Sequence, residues 1–277
     1  MSAIAAAFAR CREEGRAAFV PFLMAGDPDL ATSARLVEAL AAGGADVIEV
    51  GIPFSDPVAD GPVNQRAAGR ALAAGARLPA VLEMIARCRE RVPVPIVLFT
   101  YFNPVHCRGV ARFAEQAAAS GIDGVLCVDL PPEEAEDEWL PALRAAGIDT
   151  VFLVAPTSTK ERLSRAAAAS SGFVYAVSRT GVTGAGARVP AELAKEIKRA
   201  RKRIDLPLVV GFGISEPAQA AAVGGLVDGV VVGSALVRLV EEHAGEPDLA
   251  ERLEERVREF ADALRERPAR RRLFGGR

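Results

Sequence analysis

Short apolar, β-branched runs alternate with Ala-rich amphipathic stretches from end to end of the chain, and Gly, Pro or Asp punctuates each junction. The apolar runs predict strands at residues 18–23, 46–50, 96–100, 124–128, 150–154, 173–177, 208–212 and 229–232. Helical spacing between them predicts helices at 30–42, 79–91, 109–120, 133–146, 159–170, 191–203, 216–223 and 248–265. Such alternation specifies a parallel sheet with crossover helices, and eight units is the number that closes a barrel. An open Rossmann-type sheet is the alternative, but no G-x-G-x-x-G follows the first strand. The expected fold is therefore α/β, a single (β/α)8 TIM barrel over residues 1–265 with extra short helices in the strand-to-helix loops. At the N-terminus Ile4, Ala7, Phe8 and Cys11 recur at helical spacing, as a helix that plugs the barrel would need. Residues 266–277 are expected to form a basic, frayed tail.

Composition narrows the class of function. Of the 277 residues 50% are hydrophobic and 25% charged, ordinary for one globular domain. The formal net charge of -2 offers no positive field for nucleic acid or anionic lipid. No segment approaches the roughly 20 apolar residues of a membrane span. Cys11, Cys88, Cys107 and Cys127 are widely spaced without a C-x-x-C pair or a leader sequence, so they read as reduced thiols of a cytoplasmic protein. Small-molecule chemistry is the expectation.

In a barrel of this kind the site lies at the C-terminal ends of the strands. Two loops there, 51–62 with its continuation and 178–190, are too long for plain connectors. The seventh strand runs into Gly211-Phe212-Gly213-Ile214-Ser215, the eighth into Gly233-Ser234-Ala235, and the loop after the sixth carries Thr183 and Gly184. Bare backbone N–H groups and a helix N-terminus in these positions suit a phosphate group.

Strand alternation in Asp46-Val47-Ile48-Glu49-Val50-Gly51 sends Glu49 inward if Ile48 and Val50 face the helices. A carboxylate there either finds a partner or takes a raised pKa suited to proton transfer. Asp60 follows in a loop stiffened by Pro53, Pro57 and Pro62, which can hold a second carboxylate over the mouth. Asp56 in the same loop precedes a proline and fits a turn-initiating role. Tyr175 shares a face of the sixth strand with Phe173 and Val177. None of the four lysines, Lys160, Lys195, Lys198 and Lys202, ends a strand, where a Schiff-base lysine would stand. His106 and His243 read as isolated, without metal-ligand spacing to a carboxylate or cysteine, and no metal is expected. Carboxylates are left to move the protons.

Six ordered strings carry a family resemblance: FVPFLMAGDPD at 19–29, EVGIPFSDPVADGPVNQ at 49–65, DLPPEE at 129–134, SRTGVTG at 178–184, GFGIS at 211–215 and GSALV at 233–237. Over residues 4–264 the chain resembles the alpha chain of tryptophan synthase. The resemblance implies retro-aldol cleavage of indole-3-glycerol phosphate to indole and glyceraldehyde 3-phosphate. It implies that Glu49 is the acid/base at the indole carbon, that Asp60 accepts the indole N–H, and that Tyr175 assists near Glu49. Phe22 and Phe212 would flank the indole, with Thr183, Gly184, Gly211, Gly213, Gly233 and Ser234 toward the phosphate. It further implies a beta-chain partner in an alpha2beta2 heterotetramer, with pyridoxal phosphate on the partner and no cofactor in this chain. Pro53, Asp56, Pro57, Asn103, Asp129 and Pro131 would lie near that partner, and loops 53–62 and 179–188 would close over the substrate.

The chain departs from the family pattern at Met24, where a threonine is common, at Val105-His106-Cys107-Arg108, and at Gly224-Gly225-Leu226-Val227. Two other readings compete with the lyase: a related phosphate-binding barrel, synthase or isomerase, and a subunit whose main role is to activate a beta chain. The first would be expected to use a strand-end lysine or another acid/base pair. The second does not call for Glu49, Asp60 and Tyr175 together.

Overall fold

The computed structural model describes residues 1–155, 157–177, 191–211 and 213–266. Eight parallel strands close into a barrel in chain order: β1 (Ala18–Met24), β2 (Ile48–Gly51), β3 (Ile96–Thr100), β4 (Gly124–Cys127), β5 (Asp149–Val154), β6 (Val174–Val177), β7 (Leu208–Gly211) and β8 (Gly229–Val232). Around them run α1 (Ala3–Glu13), α2 (Leu30–Ala42), α3 (Pro62–Ala73), α4 (Leu78–Cys88), α5 (Phe102–His106), α6 (Val110–Ala119), α7 (Trp139–Ala145), α8 (Lys160–Ala169), α9 (Ala191–Ala200), α10 (Pro217–Gly224), α11 (Ser234–Glu242) and α12 (Leu249–Arg265).

The period-2 alternation of the strands divides the apolar residues between two cores. Val20, Phe22, Val47, Val97, Leu126, Val151, Phe173, Val209 and Val231 fill the barrel. Ile48, Val50, Ile96, Leu98, Val125, Val210 and Val230 face the helices. Helix α1 closes the N-terminal end as expected, with Phe8 against Phe173 at 5.6 Å between ring centroids. Glycines at two strand starts make room for it. A Cβ on Gly124 would stand 2.7 Å from Ile4, and one on Gly229 would stand 3.0 Å from Phe8.

The same end carries a repeated clamp. Asp46, Asp123, Ser171 and Asp228 stand just ahead of β2, β4, β6 and β8. Each accepts a backbone N–H from the preceding strand: Phe19 at 2.9 Å, Ile96 at 2.8 Å, Thr150 at 3.0 Å and Leu208 at 2.8 Å. Arg16, Arg89 and Arg201 pair with the three aspartates, while Ser171 donates to Asp149 at 2.8 Å. This explains why β2 begins at Ile48 rather than at 46: Asp46 turns its carboxylate back to Phe19 instead of continuing the ladder.

Other boundaries differ from expectation as well, among them the helix expected at 191–203, which ends at Ala200. The predicted helix at 133–146 is a 3-10 turn at Pro132–Glu134 followed by α7, because the acidic stretch through Glu138 has no apolar periodicity to bury. The predicted helix at 79–91 ends at Cys88 and finishes as a 3-10 turn, Arg89–Arg91. The continuation of the 51–62 loop is no loop but α3, which starts with Pro62 at the position where a missing N–H costs nothing.

Candidate active site

Glu49 points into the barrel, with Phe22 of β1 and Val97 of β3 beside it in register. It is 1% exposed, and among the described residues its Oε1 has no hydrogen-bond partner. Burial without compensation pushes its pKa up from 4.5 to about 8. At neutral pH Glu49 is therefore mostly a carboxylic acid, a proton donor in an apolar setting. The Tyr175 phenol lies close enough that burial and the charge of an ionised Glu49 both raise its pKa well above the ordinary value. Tyr175 stays protonated.

Two glycines clear the space around this pair. A Cβ on Gly211 would stand 2.0 Å from the Tyr175 hydroxyl, so Gly211 admits the phenol as well as ending β7. One on Gly51 would stand 2.7 Å from the Phe22 ring and 3.3 Å from the Met24 sulfur. Met24, the departure in the first string, is buried at that position and packs with the interior cluster. Phe22 meets Phe99 edge-on at 5.5 Å, so one wall of the mouth is aromatic, suited to a flat apolar ring.

Asp60 is held over the mouth by a residue the sequence reading did not assign. Tyr101, one residue past β3, donates its hydroxyl to Asp60 Oδ2 at 2.9 Å and accepts the Ala59 N–H at 3.1 Å. Phe54 packs on its ring at 5.0 Å. Gln65 reaches back to the Asp60 carbonyl at 2.9 Å, which ties the loop to the first turn of α3. Partial burial raises the Asp60 pKa, while Tyr101 and Asn64 oppose that rise. The signal for Tyr101 was available: a polar aromatic at a strand's C-terminal end is placed where barrel chemistry happens.

In the turn where a phosphate was expected, Gly213 has φ +70, a left-handed conformation that a side chain would strain. Gly233 precedes α11 and brings no side chain to cap it, while its carbonyl accepts the Leu236 and Val237 N–H groups at 2.9 and 3.1 Å. Phe212, Thr183, Gly184 and the loop 179–188 lie outside the described residues. So does the tail from 267. On the expected partner face Asp56, Asn103 and Asp129 are exposed and Pro57 and Pro131 half-buried, whereas Pro53 is buried within the chain. Asp129 accepts the Phe102 N–H at 2.7 Å and so shapes the start of α5, which ends inside the departing segment at 105–108. Gly224 is irregular for a packing reason: a Cβ there would stand 2.6 Å from Leu264.

The lysines behave as expected, all four exposed and none on a strand. His243 is not isolated: its Nδ1 lies 3.1 Å from Glu246 Oε2, a pair three residues apart at the end of α11 that sequence spacing alone passed over. Among the described residues no group of three or more His, Cys, Asp or Glu could hold a metal ion. No helix among them is long and apolar enough to cross a membrane.

A closed barrel with a proton-bearing glutamic acid, a tethered aspartate and an uncapped helix at one mouth defines a (β/α)8-barrel enzyme of the acid–base class. The family model described as "Tryptophan synthase alpha chain" matches residues 8–265. The chain is 50% identical over 266 residues to the tryptophan synthase alpha chain of Geobacter sulfurreducens, covering 96% of this chain and 98% of that one. It is 51% identical to that of Solibacter usitatus, over 94% and 97% of the two chains. Among solved structures, tryptophan synthase subunit alpha from Legionella pneumophila superposes with a TM-score of 0.88 at 34% identity, over 95% and 98% of the chains. Tryptophan synthase of Mycobacterium tuberculosis superposes at 0.87 and 40%, with the same coverage. The chain belongs to the tryptophan synthase alpha chain family.

Proposed function

We propose that Glu49 and Asp60 carry the chemistry of this chain, which as a member of its family is a carbon–carbon lyase of tryptophan biosynthesis and cleaves indole-3-glycerol phosphate. Glu49, protonated at neutral pH, donates its proton to the indole carbon that bears the side chain. The ring becomes a cation whose charge reaches the ring nitrogen, and Asp60, accepting the N–H, stabilises it. The Glu49 carboxylate so formed takes the proton of the neighbouring hydroxyl. The carbon–carbon bond then breaks, its electrons restore the indole ring, the oxygen becomes the carbonyl of glyceraldehyde 3-phosphate, and Glu49 ends protonated as it began. The indole is itself the electron sink, so the step calls for neither a metal nor a Schiff base in this chain.

Tyr175 orients the reacting groups near Glu49, and Phe22 with Phe212 flanks the ring. Gly211, Gly213, Gly233 and Ser234, with Thr183 and Gly184, hold the phosphate end. Residues 1–265 act as one lyase domain with 266–277 appended. The chain works in the cytoplasm with a tryptophan synthase beta chain, as an alpha2beta2 heterotetramer in which pyridoxal phosphate sits on the partner. Asp56, Pro57, Asn103, Asp129 and Pro131 face that partner, with Pro53 supporting them from beneath.

The observation that carries this reading is the uncompensated burial of Glu49, which supplies an acid at neutral pH where the fold places chemistry. The test mixes the purified chain with indole-3-glycerol phosphate, with and without a cognate beta chain, and measures indole. Indole release that rises with the beta chain is expected. Isomerised product without indole would replace the assignment.

A further inference from the structure

The turn that carries Asp60 has little packing to fix it. Ser55, Asp56, Val58 and Ala59 are exposed, and the Asp60 N–H closes the turn on the Pro57 carbonyl at 3.0 Å. Tyr101 is its opposite, 3% exposed and with its backbone fixed on both sides. The Thr100 carbonyl accepts the Val128 N–H at 2.9 Å, the Thr100 hydroxyl donates to the Tyr101 carbonyl at 3.0 Å, and Asp129 accepts the Phe102 N–H at 2.7 Å. The phenol therefore stands on a rigid post. Its oxygen accepts the Ala59 N–H at 3.1 Å and its hydrogen goes to Asp60 Oδ2 at 2.9 Å, so one hydroxyl holds both the backbone of the turn and the carboxylate. Accepting the first bond strengthens the second. The contact of the ring with Phe54, 5.0 Å between centroids, does not involve the hydroxyl and supplies packing alone.

We propose that the Tyr101 hydroxyl is a positioning group for the reaction: it fixes where the Asp60 carboxylate stands over the barrel mouth and acts on turnover through Asp60 rather than on the substrate. A donor to a carboxylate favours its charged form, whereas the burial of Asp60 works the other way. The ionisable groups on the neighbouring elements are Glu49 of β2, Asp56 of the same loop, Asp129 after β4, and Arg66 and Arg70 of α3, both paired with Glu241. What opposes the burial of Asp60 is hydrogen bonding, that of Tyr101 foremost, and not a cation. The negative charge is thereby kept uncancelled for a positive charge that develops on a ligand.

This inference rests on the role given above to Asp60, and the experiment separates the two. Tyr101→Phe keeps the ring against Phe54 and removes one oxygen. In the purified full chain it should lower kcat for indole release about tenfold, as expected for one hydrogen bond to a charged group, with KM within about threefold of the parent's. Carbon NMR should show the Asp60 carboxyl titrating about one pH unit higher. Introduced into Asp60→Asn, the same change should cost nothing further, because the two groups act as one unit. An unchanged kcat, an unchanged Asp60 titration, or a Tyr101→Phe loss that reappears in full on Asp60→Asn overturns the proposal. A lower melting temperature with normal kcat, the result of lost packing alone, overturns it as well. Full turnover by Asp60→Asn would instead remove the catalytic role of Asp60, while the NMR titration still decides whether the Tyr101 hydroxyl holds that carboxylate.

Discussion

Asp46 and Glu49 stand three residues apart, one just ahead of β2 and one in its middle, both buried, and the barrel treats them in opposite ways. Burial pushes the Asp46 pKa upward, but hydrogen bonds from Arg16 and the Phe19 amide outweigh it, and the net shift is downward. Glu49 meets the same burial with nothing to offset it. At the N-terminal end of the barrel the clamps at β2, β4 and β8 each pair their aspartate with an arginine, although burial still raises the Asp123 pKa. The C-terminal end leaves one unpaired and another, Asp60, held only by neutral groups. One end spends its polar groups on closure and the other keeps them reactive.

Linkage turns this contrast into opposite pH dependences. The raised pKa of Glu49 makes its contribution most favourable below about 4.5, and that contribution is lost as pH rises toward about 8. The lowered pKa of Asp46 contributes stability above the usual carboxylate range that is lost as pH falls through its folded value. Glu49→Gln keeps the shape and removes the ionisation, so it should lower indole release by roughly 10³-fold while substrate still binds. It should also stabilise the fold by about 3–5 kcal/mol at pH 8 and hardly at pH 4, measured by urea unfolding at both values. Normal turnover, or equal stability at both pH values, breaks the account of the catalytic end.

The opposite result is expected at the other end. Asp46→Ala takes from the Arg16 guanidinium, whose side chain is only 7% exposed, its buried partner and leaves it Glu14 and the Ala17 carbonyl, and it should cost about 3 kcal/mol in denaturant titration. Turnover per folded molecule should hardly change; a catalytic loss comparable to that of Glu49→Gln would join the two ends into one functional unit. Next in size, kcat/KM of the free chain should fall tenfold per pH unit above about 8, as Glu49 loses its proton. A plateau through pH 9 would assign the acid to another group. Gly213→Val should raise KM for the phosphorylated substrate by about tenfold, through strain at φ +70 and loss of backbone approach. An unchanged KM would move the phosphate elsewhere. Smallest of all, breaking the exposed pair of Arg87 and Glu83 on α4 should alter stability by under about 0.5 kcal/mol.

Local periodicity was sufficient for the strand order, the plug helix and the inward direction of Glu49, because side-chain alternation is a property of a few consecutive residues. The stiff segment around Asp60 and the Gly-rich turns at Gly213 and Gly233 were legible for the same reason, as backbone rules read within a short window. What the tertiary structure decided was which of these groups have company. Tyr101 reaches Asp60 across 41 residues of sequence, and Phe19 and Arg16 reach Asp46 across 27 and 30. A pKa is set by such neighbours and by burial, and both exist only once the sheet has closed. The residues named Glu49 as a candidate; the closed barrel made it an acid and left Asp46, three positions away, an anion.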